Sequence, residues 1–161
     1  MYIAVVGAGK CDKNTKNLAS QVGKLIAENK AILVCGGLGG VMDAAARGAK
    51  EAGGLTVGIL PSDTRAGASR YLDVAIATGM GEARNAIITR CADAVIAVGG
   101  EHGTLSEIGL ALKMGKPVIG LDTWRLFREK KEDLTIRQAN TPEEAVNLAI
   151  NTIYDDPYCP R

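Results

Sequence analysis

Three stretches of this chain place glycine where backbone can meet a charged group: Gly7-Ala8-Gly9, Gly36-Gly37-Leu38-Gly39-Gly40 and Gly99-Gly100-Glu101-His102-Gly103-Thr104. Each follows a short apolar run, and the second and third open helical patterns. A glycine-rich turn entering a helix exposes backbone N–H groups, and the helix dipole adds partial positive charge, so such turns are seats for anions. Thr104 adds a hydroxyl donor, while Gly7 and Met42 join the residues expected to wall the ligand. Tight strand-to-helix packing also demands glycine, so one such turn is a weak signal. Two of them on one edge point to a phosphate-bearing ligand.

Polar groups gather around these turns. Arg84 and Asn85 follow the run at 74–77 by way of Thr78-Gly79-Met80-Gly81, and Glu107 falls in the first turn of a helix expected to begin near Gly103. Arg84 is read as a phosphate contact or as the residue that orients Glu107; the bland alternative is a structural ion pair between the two. At a helix N-terminus the Glu107 carboxylate is expected to stay ionised. Asp43 and Asp63 are lesser candidates for ribose or base contacts. His102 reads first as a solvated or packing residue.

The elements that must position these groups follow from periodicity. Apolar runs at 3–6, 31–35, 55–60, 74–77, 94–98 and 117–121 are apolar on consecutive positions, which predicts strands buried on both faces of a parallel sheet. Helical patterns lie between and after them at 15–29, 41–52, 82–91, 104–114 and 142–153. Gly53-Gly54 and Gly115 act as stops, and Thr141 is the N-cap of the last helix. The alternation predicts a doubly wound parallel α/β sheet flanked by helices in a single domain over 1–154, with a loose tail at 155–161. In that architecture all three glycine turns share the C-terminal edge of the strands. The polar stretch 61–71 is expected to be a loop, and 122–133 a short amphipathic surface turn.

Composition narrows the functions. The 161 residues include 20 glycines but only one Trp, four Tyr and one Phe, and 19 basic residues against 18 acidic ones give a net charge of +1. A near-neutral, aromatic-poor chain has neither the field nor the stacking platform for nucleic acid. No run suits a membrane helix and no signal segment opens the chain, so a cytoplasmic location is expected. Cys11, Cys35, Cys91 and Cys159 are scattered and His102 is the sole histidine, so no metal site is expected. There is no P-loop, no dinucleotide fingerprint and no GxSxG elbow.

At the residues Gly36 to Pro61 (CGGLGGVMDAAARGAKEAGGLTVGILP, from Cys35) and in GEARNAIITRCADAVIAVGGEHGTLSEIGLALKMGKPVIG, the chain resembles the LONELY GUY-like (SLOG) superfamily of Rossmann proteins, nearest its molybdenum-cofactor-carrier branch. The likeness runs from Ile3 to about Gly120. It implies a Rossmann-like fold and two functional expectations. One is a carrier or sensor that holds a phosphorylated small molecule, molybdenum cofactor or a nucleotide, using Gly99, Gly100, Gly103 and Thr104 for phosphate, the 36–40 turn for the opposite wall and Arg84 for charge. The other is an enzyme resembling the cytokinin riboside 5′-monophosphate phosphoribohydrolases, with Glu107 and Arg84 as catalytic residues and no cofactor required. Against the enzymes' PGGxGTxxE pattern, the proline and second glycine become Gly99 and Glu101, and the lysine of an Arg-Lys pair becomes Asn85. A lost cation and an added acid beside the phosphate seat favour the carrier. Proteins of this resemblance commonly assemble as homo-oligomers, here a dimer or tetramer. Nothing resembles the pyridoxal-phosphate lysine site of the decarboxylases with which such proteins have been confused.

Overall fold

A computed structural model describes residues 1–155. Its element order is β1 (Tyr2–Gly7), α1 (Lys13–Glu28), β2 (Ile32–Cys35), α2 (Val41–Glu51), β3 (Thr56–Leu60), β4 (Val74–Ala77), a 3₁₀ turn (Gly81–Arg84), α3 (Asn85–Cys91), β5 (Ala94–Val98), α4 (His102–Lys113), β6 (Val118–Leu121), β7 (Leu126–Arg128), β8 (Lys131–Asp133), β9 (Ile136–Ala139) and α5 (Pro142–Asp155). Of the expected tail, Asp155 closes α5 and 156–161 lie outside the described residues.

Seven strands form one sheet in the order β4-β3-β2-β1-β5-β6-β9. Every pair in it is parallel. This is the Rossmann-like doubly wound sheet, and its strand order reverses beside β1, where Gly7 pairs with Val98. Alternate residues of β1 serve opposite layers. Ile3 and Val5 pack with α1, α2 and α5, whereas Ala4 and Val6 pack with α3 and α4. Two helices on the first side approach unusually closely, because a Cβ at Gly23 would collide with the Ala45 carbonyl and one at Gly48 with that of Ser20.

The helix ends follow their local chemistry. Asp12 caps α1 by accepting from the Thr15 N–H at 2.8 Å, and Thr141 accepts from the Glu144 N–H at 3.1 Å at the head of α5. Gly53 and Gly115 end α2 and α4 at φ 78° and 71°, the left-handed conformation that glycine adopts at no steric cost.

Four expectations need correction. The run at 74–77 is not buried on both faces: β4 is the sheet edge, with Val74 43% and Ile76 44% exposed. An apolar run does not reveal whether a further strand covers it. The polar Ile136–Ala139 segment, read as no element, is the opposite edge strand β9. The stretch 122–133 forms the antiparallel β7–β8 hairpin rather than a simple turn, tied by a two-bond Arg125–Glu132 pair at 2.6 and 2.8 Å. The helix expected over 82–91 starts as a 3₁₀ turn and becomes α-helical only at Asn85.

Candidate functional site

At the strand-order reversal a cavity of about 280 Å³ is lined by residues of four segments: Gly7, Ala8 and Gly9 after β1, Leu38 and Met42 around the start of α2, Glu82, Arg84 and Asn85 at the start of α3, and Glu101, Gly103, Thr104 and Glu107 on α4 and its cap. Open α/β sheets place their ligands at such a reversal. A larger depression of about 620 Å³ lies beside Leu121 and Ala139. Its cation, Arg125, is already held by Glu132.

Arg84 dominates the cavity. It is only 6% exposed, yet its Nε and Nη1 have no hydrogen-bond partner, and neither does Oδ1 of Asn85. The ion pairs among the described residues join Lys24 to Glu28, Arg47 to Glu51, Lys50 to Asp73 and Arg125 to Glu132. Arg84 and Glu107 therefore do not form the structural pair that was one reading of them. A buried guanidinium without a counter-ion costs several kcal/mol, on the order of a broken buried pair, unless an anion completes it. Gly36 makes its seat possible: a Cβ there would collide with Arg84 Nη1 and come within 2.6 Å of Met42 Sδ.

The α4 N-terminus faces the same space. Its N-cap, Glu101, makes no side-chain capping bond, and the first N–H groups of a helix have no partner within it. Gly103 has open space where a Cβ would project, while Gly100 sits at φ 119° against the Thr104 side chain. The loop is braced from outside. Trp124 Nε1 donates to the Glu101 carbonyl at 3.3 Å, the Thr123 hydroxyl donates to the Gly99 carbonyl, and His102 packs on Trp124 with ring centroids 5.9 Å apart.

Glu107 does not stand where the sequence suggested. Because α4 starts at His102, Glu107 lies in its second turn, 7% exposed. The expectation that the helix end keeps it ionised is overturned. Burial pushes its pKa up to about 7 despite the nearby Arg84 charge, and Glu82 adds to the rise. Desolvation outweighs a dipole that fades within the first turn.

Of the residues singled out in the sequence, Gly7, Met42, Arg84, Asn85, Gly103, Thr104 and Glu107 line the cavity together. Gly36, Gly37, Gly39, Gly40, Gly99 and Gly100, also expected as contacts, are not among its lining residues. Gly37 packs on Leu60 and Gly58, and Gly40 on Ala8 and Gly9. Asp43 lies off the cavity, accepting from Ser69 Oγ at 2.7 Å, and Asp63 lies under Gly79. Glu82, Leu38, Ala8, Gly9 and Glu101 complete the lining beyond the residues proposed as contacts. Glu82 and Arg84, two residues apart in the 3₁₀ turn, both line the cavity. Among the described residues no cluster of three or more His, Cys, Asp or Glu could hold a metal ion, and no helix is long and apolar enough to cross a membrane.

Fold and site together define a class: a single-domain Rossmann-like α/β protein with an uncompensated arginine in the crevice at the C-terminal edge of its sheet. Within that class the chain belongs to the SLOG cluster4 family, whose model matches residues 1–146. It is 49% identical over 152 residues to an uncharacterized protein of Archaeoglobus fulgidus, covering 94% of this chain and 96% of that one. Among solved structures it resembles the molybdenum cofactor binding protein of the phototrophic bacterium Rippkaea orientalis, with 40% identity, a TM-score of 0.85 and coverage of 94% and 96% of the two chains. It also resembles the molybdenum cofactor carrier protein of Chlamydomonas reinhardtii, with 35% identity, a TM-score of 0.82 and coverage of 96% and 98%.

Proposed function

We propose that this protein is a carrier that binds a phosphorylated small molecule without turning it over, with molybdenum cofactor as the first candidate and a nucleotide as the second. The observation that carries the reading is the buried Arg84 guanidinium with unpartnered Nε and Nη1 at the cavity wall. The uncapped start of α4 supports it, and so do the relatives from Rippkaea and Chlamydomonas, described as binding or carrying molybdenum cofactor. The cofactor is cargo here. Its phosphate fits the donors of Arg84, Thr104 and the α4 N-terminus, with Gly103 leaving room for close approach. The reading includes a homo-oligomer and leaves out nucleic acid, on the near-neutral charge.

Mass spectrometry of gently purified protein is expected to show a retained phosphorylated ligand. Arg84→Met is expected to weaken ligand binding by about 100-fold, the scale of two charge-assisted hydrogen bonds, while leaving the melting temperature equal or higher. An empty wild-type protein with no thermal shift from molybdopterin or nucleotides would defeat the reading.

One observation favours a second reading, cleavage of the N-glycosidic bond of a nucleoside 5′-monophosphate. Glu107, with a pKa raised to about 7, is poised to exchange a proton near neutral pH, as a general acid or base must. Incubation with AMP decides it: free adenine from the wild type and none from Glu107→Ala supports hydrolysis, and intact AMP rejects it.

A further inference from the structure

The cavity holds an imbalance that a phosphate makes worse. Of its twelve lining residues one is cationic, Arg84, and three are acidic, Glu82, Glu101 and Glu107. Glu107 is the deeply buried acid among them at 7% exposed, whereas Glu82 and Glu101 are exposed at the rim. A phosphate seated on Arg84 and the α4 N-terminus would face the Glu107 carboxyl from within the same walls. Two anionic oxygens cannot share a desolvated wall without a proton between them, as paired buried carboxylates show.

We propose that the oxyanion and one proton bind together, held between a ligand oxygen and the Glu107 carboxyl, so that the site selects anions able to bring or share a proton. The preferred class is phosphate and phosphomonoesters, and sulfate is the discriminated analogue. This rests on the reading of the cavity as a phosphate seat and adds what that seat selects. The proton arrives on hydrogenphosphate itself, or is taken from solvent when the ligand is a fully ionised monoester. No covalent bond changes.

The groups around Glu107 leave it as the site of that proton. Arg84 and Glu82 face it from the 3₁₀ turn, and Cys35 approaches from the end of β2. The Cys35 thiol is pushed up to about 12 by its burial and stays protonated. Glu107 itself titrates near neutrality because burial opposes its charge. The sign follows: a carboxyl that must be protonated in the complex favours binding at low pH and opposes it as pH rises through about 7. A proton-free anion should then lose about tenfold in affinity per pH unit above that point.

Isothermal titration calorimetry with inorganic phosphate, sulfate and AMP, in buffers of different ionisation enthalpy, tests this. From about pH 6 to about pH 8.5 the phosphate-to-sulfate affinity ratio of the wild type is expected to rise at least about tenfold, because hydrogenphosphate still carries its own proton. AMP binding at about pH 8 is expected to take up close to one proton. Glu107→Gln, a fixed donor, should show a flat ratio and no uptake. A constant ratio with no proton uptake in the wild type overturns the proton-sharing site alone. Binding of none of the three anions overturns the phosphate seat and this inference with it. Both wild-type readouts stand even if the variant does not fold.

Discussion

The turns at 36–40 and 99–104 follow parallel strands at the same sheet edge and run into helices of similar length, yet they use glycine for different ends. In the first turn the backbone is closed in. Val41 N–H donates to the Ala8 carbonyl at 3.1 Å, a Cβ at Gly40 would strike that same carbonyl, and one at Gly36 would strike Arg84. In the second turn the space beside Gly103 is open, and the helix it begins, like α2, has no side-chain cap. Glycine in the closed turn lets two loops and an arginine pack together; glycine in the open turn lets something else come near. An anion seat is recognised by what its donors lack, since the α2 start already has a partner in Ala8.

The sharpest way to break this comparison is Gly40→Ala. Gly40 sits at φ 63° with backbone atoms of Ala8 and Gly9 in the way of a Cβ, so the substitution combines a strained conformation with a collision that cannot relax through a side chain. A loss of about 4 kcal/mol is expected, lowering Tm by roughly 10 °C at any pH. A melt within a degree or two of wild type would show that the closed turn is not closed.

The open turn carries a different signature, dependence on pH. The folded protein keeps the Glu107 proton up to about 7, whereas an ordinary glutamate loses it near 4.5. Its folded pKa is raised, so this stabilisation is full below the unfolded value and is lost as pH climbs to about 7. Glu107→Gln should therefore gain on the wild type across that window, by up to about 3 kcal/mol, and the gain should level off above it. Urea unfolding at several pH values checks this; parallel stability curves for the two proteins would remove the buried carboxyl from the account.

The smallest expected effect on stability is Gly103→Ala. With no atom within 4 Å of the new methyl, and alanine favoured over glycine in a helix by about 1 kcal/mol, Tm should hold or rise slightly. Affinity for inorganic phosphate should nevertheless fall, about tenfold, because the methyl occupies the approach to the N–H groups. Unchanged affinity would place the anion elsewhere on the turn.

Much of this was legible in the residues. Consecutive apolarity at 94–98 marked the buried strand β5 to the residue, and Gly115 and Thr141 marked where helices stop and start, because those signals are local. Arg84, Glu107 and the 99–104 turn could be placed on one edge because a parallel sheet gathers all its strand-to-helix turns there. The polar β9 and the exposed face of β4 escaped, since sheet edges are decided by which neighbours exist. Glu82 escaped as well, because which side chains of the 81–84 turn meet the cavity depends on segments far away in sequence.

Composition, periodicity and turn chemistry by themselves determined a doubly wound α/β chain with glycine turns on one edge, and the resemblance of its motifs pointed to the LONELY GUY-like proteins. Those properties belong to each residue and its close neighbours along the chain. Only the tertiary structure decided which turn is closed and which open, that Arg84 has no counter-ion, and that Glu107 holds its proton to about 7. Burial and the absence of a partner arise from segments far apart in sequence, and desolvation, the largest influence on Glu107, does not exist until they have packed.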